Sequence, residues 1–414
     1  MAEIEKVDVL IIGSGPSGTS TALHLIKINP DWAKRILILE KEVHPREKLC
    51  GGGVVHMGSN ILARLGLPFE PDHFDVREAR LIYQDLSCSF YANPAFRIIR
   101  RDEFDHWLVR TAEQLGVRVR QGEAVIDIVP DDNHYEVKTE KGIFHAQVVV
   151  GADGSRSFVR RRLKWDDDSR VARLMEILTP ADAHLQPEFR DGIAVFDFTH
   201  MTDGLQGYYW DFPSFVKGKP FMNRGLFDSR ARPERPKADL KQTLRQSLEE
   251  RDLDLDDYKL KGHPIRWWSR DGRFAMPNIL LVGDAAGADP LLGEGISFAL
   301  GYGDVAAAAI EDAFARQDFS FETYRKRLLA DPLFKQLDLR TRLARFAYFL
   351  KYPWLVRLGF RIAPFLIRFT RWQNPEYNPT ETPQALLIDT DQSTQAVERG
   401  VFGKDGPRTA PTLD

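Results

Sequence analysis

A glycine-rich hexad between two short apolar runs is the feature that most constrains the fold of this chain. Residues 7–12 form an aliphatic run with one aspartate, and the hexad GSGPSG follows at positions 13–18. A helical run at 19–28 comes next, and a second apolar strand at 36–39 ends in Glu40. Strand, G-x-G-x-x-G, helix, strand and acid in this order predict a Rossmann-type dinucleotide-binding unit.

The three glycines of the hexad have a physical role in such a unit. They permit a tight turn and bring backbone N–H groups and a helix N-terminus close to a pyrophosphate. An acid about 20 residues further on accepts the ribose hydroxyls, and Glu40 has that spacing. The alternative is a plain glycine-rich turn. The predicted dinucleotide contacts in this segment are Gly13, Gly15, Pro16, Ser17, Gly18, Glu40 and Lys41.

Two later motifs indicate which dinucleotide is bound. A strand at 147–150 runs into Gly-Ala-Asp-Gly, which contains Asp153 and Gly154. Another strand at 278–282 runs into Gly-Asp-Ala-Ala-Gly, which contains Asp284, and the loop GEGI follows at 293–296. An acid followed by small residues can also be an ordinary turn at a strand end. Together with the glycine-rich hexad, these two motifs in this order favour FAD as the dinucleotide.

With these motifs the chain resembles the FAD-dependent family built on the hydroxybenzoate-hydroxylase fold. The resemblance implies that the Asp284 carboxylate binds the ribityl chain of FAD. It also implies that the loop at 293–296 turns backbone N–H groups toward the flavin ring. The cofactor contacts that it implies beyond the first motif are Arg101, Val125, Asp153, Gly154, Asp284, Gly293, Gly295 and Ile296.

An aromatic segment narrows the resemblance. The pattern Tyr-x-Trp-x-Phe-Pro places Tyr208, Trp210 and Phe212 two residues apart, so in a strand they share one face. Pro213 is expected to end that strand, because it has no N–H for the ladder. A core strand is the simpler interpretation, since aromatic residues favour strands. The alternative is a flat wall that binds substrate.

The aromatic pattern and the segment Lys-Leu-Cys-Gly-Gly-Gly at 48–53 together resemble the geranylgeranyl reductase family. That resemblance implies a flavoenzyme that saturates double bonds of prenyl chains in lipids, pigments or quinones. It places Tyr208, Trp210 and Phe212 against the substrate, and Arg101 near the FAD phosphates. The loop residues Cys50, Gly51 and Gly52 would contact the flavin. Cys50 is a candidate catalytic residue, although a buried thiol that only packs is an equal alternative.

The same resemblance leaves the electron donor and some alternative functions open. The electron donor would be NADPH or a protein such as ferredoxin, and the sequence does not choose between them. A flavin monooxygenase or a halogenase of the same superfamily is an alternative function. Halogenases carry a related aromatic motif that begins with Trp, whereas this chain has Tyr208. A non-enzymatic membrane-bound scaffold with a flavin fold is a further alternative.

Composition excludes several other classes. The 57 Lys and Arg residues nearly balance the 60 Asp and Glu residues, which gives no sign of nucleic-acid binding. Two cysteines, Cys50 and Cys88, are too few for a disulfide scaffold and favour a reducing compartment. The histidines show no zinc spacing, so no metal is expected. The acidic N-terminus leaves no room for a signal peptide, and no uncharged run is long enough to span a membrane.

The motifs divide the chain into segments. The predicted fold is α/β, with a Rossmann-like FAD-binding domain, an inserted antiparallel β-sheet substrate domain and a C-terminal helical region. The FAD-binding domain takes 1–75, 97–170 and 265–330. The substrate domain takes 76–96 and 171–264. Residues 331–372 form the helical region, and 373–414 form a polar tail that is expected to be loosely ordered.

The helical region has the composition of a membrane-surface element. Residues 335–372 combine many basic side chains with aromatic ones, and Asp338 is the one acid among them. Arg357, Arg361 and Arg368 fall on one helix face, largely away from the Leu and Phe residues. This pattern is typical of a helix in the bilayer interface. We therefore expect a cytoplasmic protein attached peripherally to the membrane, unless these helices only cap the FAD domain.

Overall fold

A computed structural model describes residues 4–165, 170–349 and 352–369 of the chain, with side chains described as far as residue 362. Two sheets and ten α-helices make up this part of the protein. The fold is the predicted mixture of α/β and antiparallel parts with a helical C-terminal region. The polar tail predicted at 373–414 lies outside the described residues.

The strands, in chain order, are β1 (Ile4–Ile12), β2 (Ile36–Glu40), β3 (Gly53–Val55), β4 (His73–Tyr83), β5 (Leu86–Ile99), β6 (Arg118–Gln121), β7 (Val125–Asp131), β8 (His134–Thr139), β9 (Ile143–Gly151), β10 (Val171–Pro180), β11 (Ile193–Asp197), β12 (Gly207–Val216), β13 (Lys219–Asp228), β14 (Lys261–Arg266), β15 (Ala275–Met276) and β16 (Ile279–Leu281). The α-helices are α1 (Pro16–Ile28), α2 (His56–Arg64), α3 (Arg101–Gln114), α4 (Phe158–Arg162), α5 (Pro187–Asp191), α6 (Leu240–Glu249), α7 (Ile296–Arg316), α8 (Tyr324–Ala330), α9 (Pro332–Ala347) and α10 (Pro353–Phe369).

The first sheet contains the dinucleotide-binding unit. Its parallel core has the strand order β16-β9-β1-β2-β6, and the antiparallel pair β7–β8 extends it from β9. Strands β1, β2 and β9 are rich in Ile, Leu and Val and buried along most of their length, because helices cover both faces of such a sheet. The carboxyl ends of β1, β9 and β16 lead into the three predicted FAD motifs.

The second sheet has the strand order β14-β10-β13-β12-β11-β4-β5-β3 and is antiparallel except for the pair β11–β4. Strand β12 lies inside it and is buried on both faces. One face carries Tyr208, Trp210 and Phe212 into an aromatic cluster, while Tyr209 on the other face packs beneath α6. The alternation that the sequence predicted is therefore present.

Pro213 does not end β12, contrary to the prediction from sequence. The strand continues to Val216, and Pro213 pairs with Met222 of β13. Pairing with β11 covers only residues 209–211, so beyond Asp211 the strand is paired on the β13 side alone. A proline is tolerated at such a position, because its missing N–H has no ladder partner to lose.

The second sheet begins and ends differently from the predicted insert. Strands β4 and β5 cover 73–83 and 86–99, so the predicted boundaries at 76 and 96 fall inside strands. Strand β3, which begins at Gly53, the last glycine of the Cys-Gly-Gly-Gly motif, pairs with β5 at the edge of the same sheet. The loop at 50–52 therefore connects the FAD-binding part to the second sheet.

Helix α9 packs against α7 and α8, and α10 packs against β4 and β5 of the second sheet. Helix α9 buries Phe334, Leu337 and Ala344 on its inner face and exposes Leu339 and Leu343 on the opposite face. Helix α10 places Phe360 against the Tyr83 ring, with the ring centroids 5.6 Å apart. Arg357 of α10 forms an ion pair with Asp85 in the turn between β4 and β5. No described helix is both long enough and apolar enough to cross a membrane.

Burial of the aromatic face predicts a large stability effect at Trp210. Replacing Trp210 with alanine should lower the free energy of unfolding by about 3–5 kcal/mol, since its side chain is almost fully buried and packs on Phe212 and Tyr208. Denaturant titration measures this change. The matched control is Trp354→Ala, because Trp354 is 63% exposed and should change stability little. Equal losses in the two variants would contradict this assignment of the core.

Candidate active site

One large cavity brings almost all of the predicted site residues together. Its volume is about 1780 Å³, and it lies where both sheets and the N-terminus of α7 meet. Of the predicted cofactor and substrate residues, only Gly18 is absent from the cavity wall. The predicted residues that line it are Gly13, Gly15, Pro16, Ser17, Glu40, Lys41, Cys50, Gly51, Gly52, Arg101, Val125, Asp153, Gly154, Tyr208, Trp210, Phe212, Asp284, Gly293, Gly295 and Ile296.

Each glycine of the hexad meets a different constraint. Gly13 has φ +104°, and a Cβ there would lie 2.5 Å from the Ala152 carbonyl oxygen. A Cβ on Gly18 would lie 2.1 Å from the Gly13 carbonyl oxygen, so Gly18 allows close packing of α1 against β1. A Cβ on Gly15 would meet nothing nearer than Arg46 at 3.6 Å and would occupy the cavity. The hexad thus offers a backbone cradle at the N-terminus of α1, which fits a pyrophosphate.

Glu40 is buried at the end of β2 and is already hydrogen-bonded. Its Oε2 accepts from the Ser14 backbone N–H at 3.0 Å and from the Ser14 hydroxyl at 2.8 Å. Burial alone would raise the pKa of Glu40, but the Arg46 guanidinium at 3.4 Å and these hydrogen bonds hold it below its usual value. Glu40 is therefore a carboxylate at neutral pH, as an acceptor for ribose hydroxyls must be.

The two later motifs meet beside the hexad, since a Cβ on Gly283 would lie 2.4 Å from the Ser17 hydroxyl oxygen. The Asp284 carboxylate accepts a hydrogen bond from the Ser155 hydroxyl at 3.1 Å, which joins the third motif to the second. Asp153 accepts from the backbone N–H of Val159 at 2.9 Å and so fixes the start of α4. Arg101 is held by two hydrogen bonds to Asp105, at 2.7 and 2.8 Å, while its side chain lines the cavity.

The Cys50 loop is held by side chains from the second sheet. The Cys50 backbone N–H donates to Glu176 Oε2 at 2.8 Å, and its carbonyl accepts from Asn223 Nδ2 at 3.0 Å. Asn223 in turn accepts from the Trp210 indole N–H at 2.9 Å. Burial raises the pKa of the Cys50 thiol, so the sulfur keeps its proton at neutral pH.

The aromatic motif and the Cys-Gly-Gly-Gly motif are in direct contact. A Cβ on Gly51 would lie 3.3 Å from the Phe212 ring and 3.7 Å from the Trp210 ring. Tyr208 stands beside Phe196, with centroids 5.2 Å apart, and extends the wall. The cavity is thus bounded by backbone loops on one side and by aromatic rings on the other.

Comparison with known proteins agrees with this geometry. A family model described as an FAD binding domain matches residues 6–301. The chain belongs to this family. FAD is accordingly its cofactor, and the glycine cradle, the ionised Glu40 and the Asp284 loop are the residues that fit it. When bound, the flavin supplies redox chemistry as a hydride carrier.

Individual relatives point in the same direction. Digeranylgeranylglycerophospholipid reductase 3 of Methanosphaera stadtmanae is 27% identical over 77% of this chain and 81% of its own length. A solved geranylgeranyl bacteriochlorophyll reductase-like protein of Thermoplasma acidophilum has a TM-score of 0.71 at 22% identity, covering 87% of this chain and 92% of that one. These matches confirm the resemblance to the geranylgeranyl reductase family. The flavin-dependent halogenase CmlS shares the fold, with a TM-score of 0.57, 21% identity and coverage of 84% and 63%.

Sequence reasoning missed a basic pair on the wall of this flavoprotein's cavity. Lys48 Nζ lies 2.6 Å from His263 Nε2, which comes from β14. Burial and the Lys48 charge lower the pKa of His263 to about 4, so the neutral ring accepts a hydrogen bond from the ammonium. Lys48 is the first residue of the Lys-Leu-Cys-Gly-Gly-Gly segment, but its partner His263 is 215 residues away in the sequence, so no local pattern predicts the pair.

Glu176 was also missed, because nothing in β10 marks it locally. It is almost fully buried, and Arg100 lies 3.8 Å from its carboxylate. Burial raises the pKa of Glu176 to about 7, although the Arg100 charge and the Cys50 N–H oppose the shift. The residue that holds the Cys50 loop therefore titrates near neutral pH.

A second group of ligand-type side chains lies outside the cavity, on the β7–β8 hairpin and β9. His134 Nε2 is 3.1 Å from Asp131 and 3.0 Å from His145 Nδ1. Asp131 is exposed and both rings are half-buried. Hydrogen bonding between the rings and the carboxylate accounts for this arrangement, and no metal role is assigned to it.

The cradle at Gly15 predicts loss of the cofactor from a single variant. Gly15→Val places two methyl groups where the backbone must approach the pyrophosphate, so purified wild type should show a flavin absorption band and the purified variant should lack it. Gly359→Val is the control, because nothing lies within 4 Å of a Cβ at that helical glycine. Equal flavin content in Gly15→Val and wild type would contradict the site.

The raised pKa of Glu176 predicts a pH-dependent contribution to stability. A folded-state pKa of about 7 against an ordinary 4.5 means that this group favours folding below pH 4.5 and loses that effect as pH rises through 7. Glu176→Gln removes the titrating group, so the variant does not lose this stability as pH rises. The glutamine side chain still offers an acceptor for the Cys50 N–H. Relative to wild type, the free energy of unfolding of the variant should rise by about 3 kcal/mol between pH 4 and pH 8.

Urea titrations across that pH range measure the difference. Glu70→Gln is the control, since Glu70 is exposed and its replacement should leave the wild-type pH profile unchanged. Parallel profiles for wild type and Glu176→Gln would show that Glu176 does not titrate near neutral pH.

Proposed function

We propose that this flavoprotein is a reductase that saturates C=C bonds of a polyprenyl chain. One observation carries the proposal: the aromatic wall of Tyr208, Trp210 and Phe212 touches the Cys50 loop, and both line the cavity that contains the FAD motifs. An apolar substrate against that wall would lie beside the cofactor. The Methanosphaera relative, a digeranylgeranylglycerophospholipid reductase, supports the same class of substrate.

The lining of the cavity supports an apolar substrate. FAD would take up the part of the cavity that the glycine motifs line, so the space left for a substrate lies against the aromatic wall and α9. Leu339 and Leu343 of α9 line it and are also exposed to solvent, so the cavity reaches the surface beside that helix. A prenyl chain could enter there and extend toward the aromatic wall.

Reduction of an isolated double bond needs a hydride at one carbon and a proton at the other. The bound, reduced flavin would supply the hydride. The chain would exclude water with its aromatic rings and hold the acid that protonates the second carbon. Cys50 suits that role, because its thiol keeps its proton and lines the cavity between the FAD motifs and the aromatic wall.

Oxygen chemistry of the monooxygenase or halogenase type is the alternative. The first aromatic position distinguishes the two, since related halogenase motifs begin with Trp. Tyr208 here donates its hydroxyl to the Leu292 carbonyl in the loop before α7. An indole N–H has a different reach and direction, so this contact favours the reductase.

Anaerobic reduction of a prenyl lipid tests the proposal. The FAD-loaded protein, reduced with dithionite, should convert digeranylgeranyl glycerophospholipid to products heavier by about 2 Da for each bond saturated. Mass spectrometry detects these products, and dithionite makes the result independent of whether NADPH or ferredoxin is the natural donor. Geranylgeranyl diphosphate and a prenylated quinone, assayed in parallel, would distinguish lipid, pigment-precursor and quinone substrates.

Two cysteine variants distinguish an effect on turnover from an effect on folding. Cys50→Ser should slow turnover at least tenfold with FAD still bound, whereas Cys88→Ser, in β5, should match wild type. No saturated product under anaerobic conditions from any prenyl substrate, together with oxygen-dependent product formation, would favour the alternative.

We further propose that the C-terminal helices dock on a membrane surface, where such substrates reside. Exposed apolar side chains follow one another along α9, the link and α10. They are Leu339, Leu343, Phe346, Phe349, Tyr352, Trp354, Leu358 and Ile362. Arg357, a member of the predicted basic stripe, forms an ion pair with Asp85 of the protein itself. Its charge is therefore partly neutralised and does not carry the membrane proposal. Arg368 lies beyond the described side chains, and the apolar face now carries the proposal.

Vesicle binding of an apolar-face variant tests this docking. Wild type should co-sediment with anionic vesicles at low salt, and a Phe346→Asp, Trp354→Asp double variant should remain in the supernatant. Leu185→Asp is the control, since Leu185 is 77% exposed on a different part of the chain. Wild type that remains in the supernatant would mean that the helices are structural and that substrate arrives by another route.

A further inference from the structure

The loop before α7 is held partly by residues that lie beyond the FAD-binding family domain. The family model ends at residue 301, and this loop, residues 289–295, leads into α7 with its glycines on the cavity wall. Side chains from several elements bind the loop. Carbonyls of the loop accept from the hydroxyls of Ser229, Tyr208 and Tyr348. Tyr348 lies directly after α9, beyond the family match.

A nearly buried arginine also binds the loop, through ion pairs with two carboxylates. Arg340 Nη1 of α9 lies 2.9 Å from Asp289 Oδ2 and 3.3 Å from Glu294 Oε2, at the two ends of the loop. Asp289 is fully buried, and both Glu294 and Arg340 are nearly so. Because two carboxylates face one guanidinium, its removal would leave two buried charges without a partner.

The two carboxylates also shape the backbone around them. The other oxygen of Asp289 accepts from the Leu291 N–H at 2.8 Å, and the other oxygen of Glu294 accepts from the Ser297 N–H at 3.0 Å. The second bond caps the first turn of α7. Arg340 therefore fixes both the course of the loop and the direction in which the N-terminus of α7 presents its N–H groups to the cavity.

We propose that Arg340 is a positioning residue for the flavin, acting from a helix that the family domain does not include. A reduced flavin carries more negative charge than an oxidised one, and a helix N-terminus stabilises negative charge. By holding Gly293, Gly295 and Ile296 in place, Arg340 would strengthen FAD binding and raise the reduction potential of the bound flavin. The proposal depends on FAD binding and not on the prenyl substrate.

Titration of FAD-free protein with FAD tests this role without any turnover. Arg340→Gln should weaken binding about tenfold or more and shift the flavin potential to more negative values, with Arg340→Lys in between. Arg342→Gln is the matched control, because Arg342 is two residues away, 66% exposed and paired with Asp338 on the outer side of α9. It should keep both wild-type values.

A milder variant covers the case in which Arg340→Gln does not fold. Tyr348→Phe removes only the hydroxyl that donates to the Leu291 carbonyl, and it should shift the potential in the same direction by a smaller amount. Thermal melts confirm that each variant is folded. Wild-type FAD affinity and potential in a folded Arg340→Gln, or an unshifted potential in both Arg340→Lys and Tyr348→Phe, would overturn the proposal. Loss of prenyl reduction alone would leave it intact.

Discussion

Backbone groups in the loops around the cavity need hydrogen-bond partners, and this requirement organises the site. A loop at 50–52 and a loop at 289–295 both leave regular structure and line the cavity, so they give up the partners that strands and helices provide. Side chains replace those partners. Glu176 and Asn223 bind the first loop, while Arg340 binds the acids of the second and three hydroxyl groups bind its carbonyls.

This requirement also explains why the second sheet does more than line the cavity. Its strand β12 supplies aromatic rings to the cavity, and Trp210 and Tyr208 also use their polar atoms to support the two loops. The same residues thus line the cavity with their rings and support the two loops with their N–H and O–H groups. Loss of either function in a variant should therefore be measured separately from loss of folding.

The parts of the fold that could be predicted from sequence are those with local signals. The hexad and its two strands lie within 40 residues, and Gly13 and Gly18 each have a conformation or a contact that only glycine allows, while Gly15 leaves space open in the cavity. The partners of Lys48, Cys50 and Glu294 lie far away in the sequence, and buried Glu or Arg residues carry no pattern of their own. Pro213 was misjudged for a related reason, because the edge at which it sits depends on the length of β11.

The contact between Gly51 and Phe212 has a consequence for sequence variation. A Cβ on residue 51 would lie 3.3 Å from the Phe212 ring. A larger residue at position 51 therefore requires the Phe212 ring to move, and a smaller side chain at position 212 leaves the loop without packing support. The two positions are 161 residues apart and yet share one volume, so substitutions there should be strongly non-additive. Among homologues, the two motifs should therefore be inherited or lost together, as a single unit of covariation.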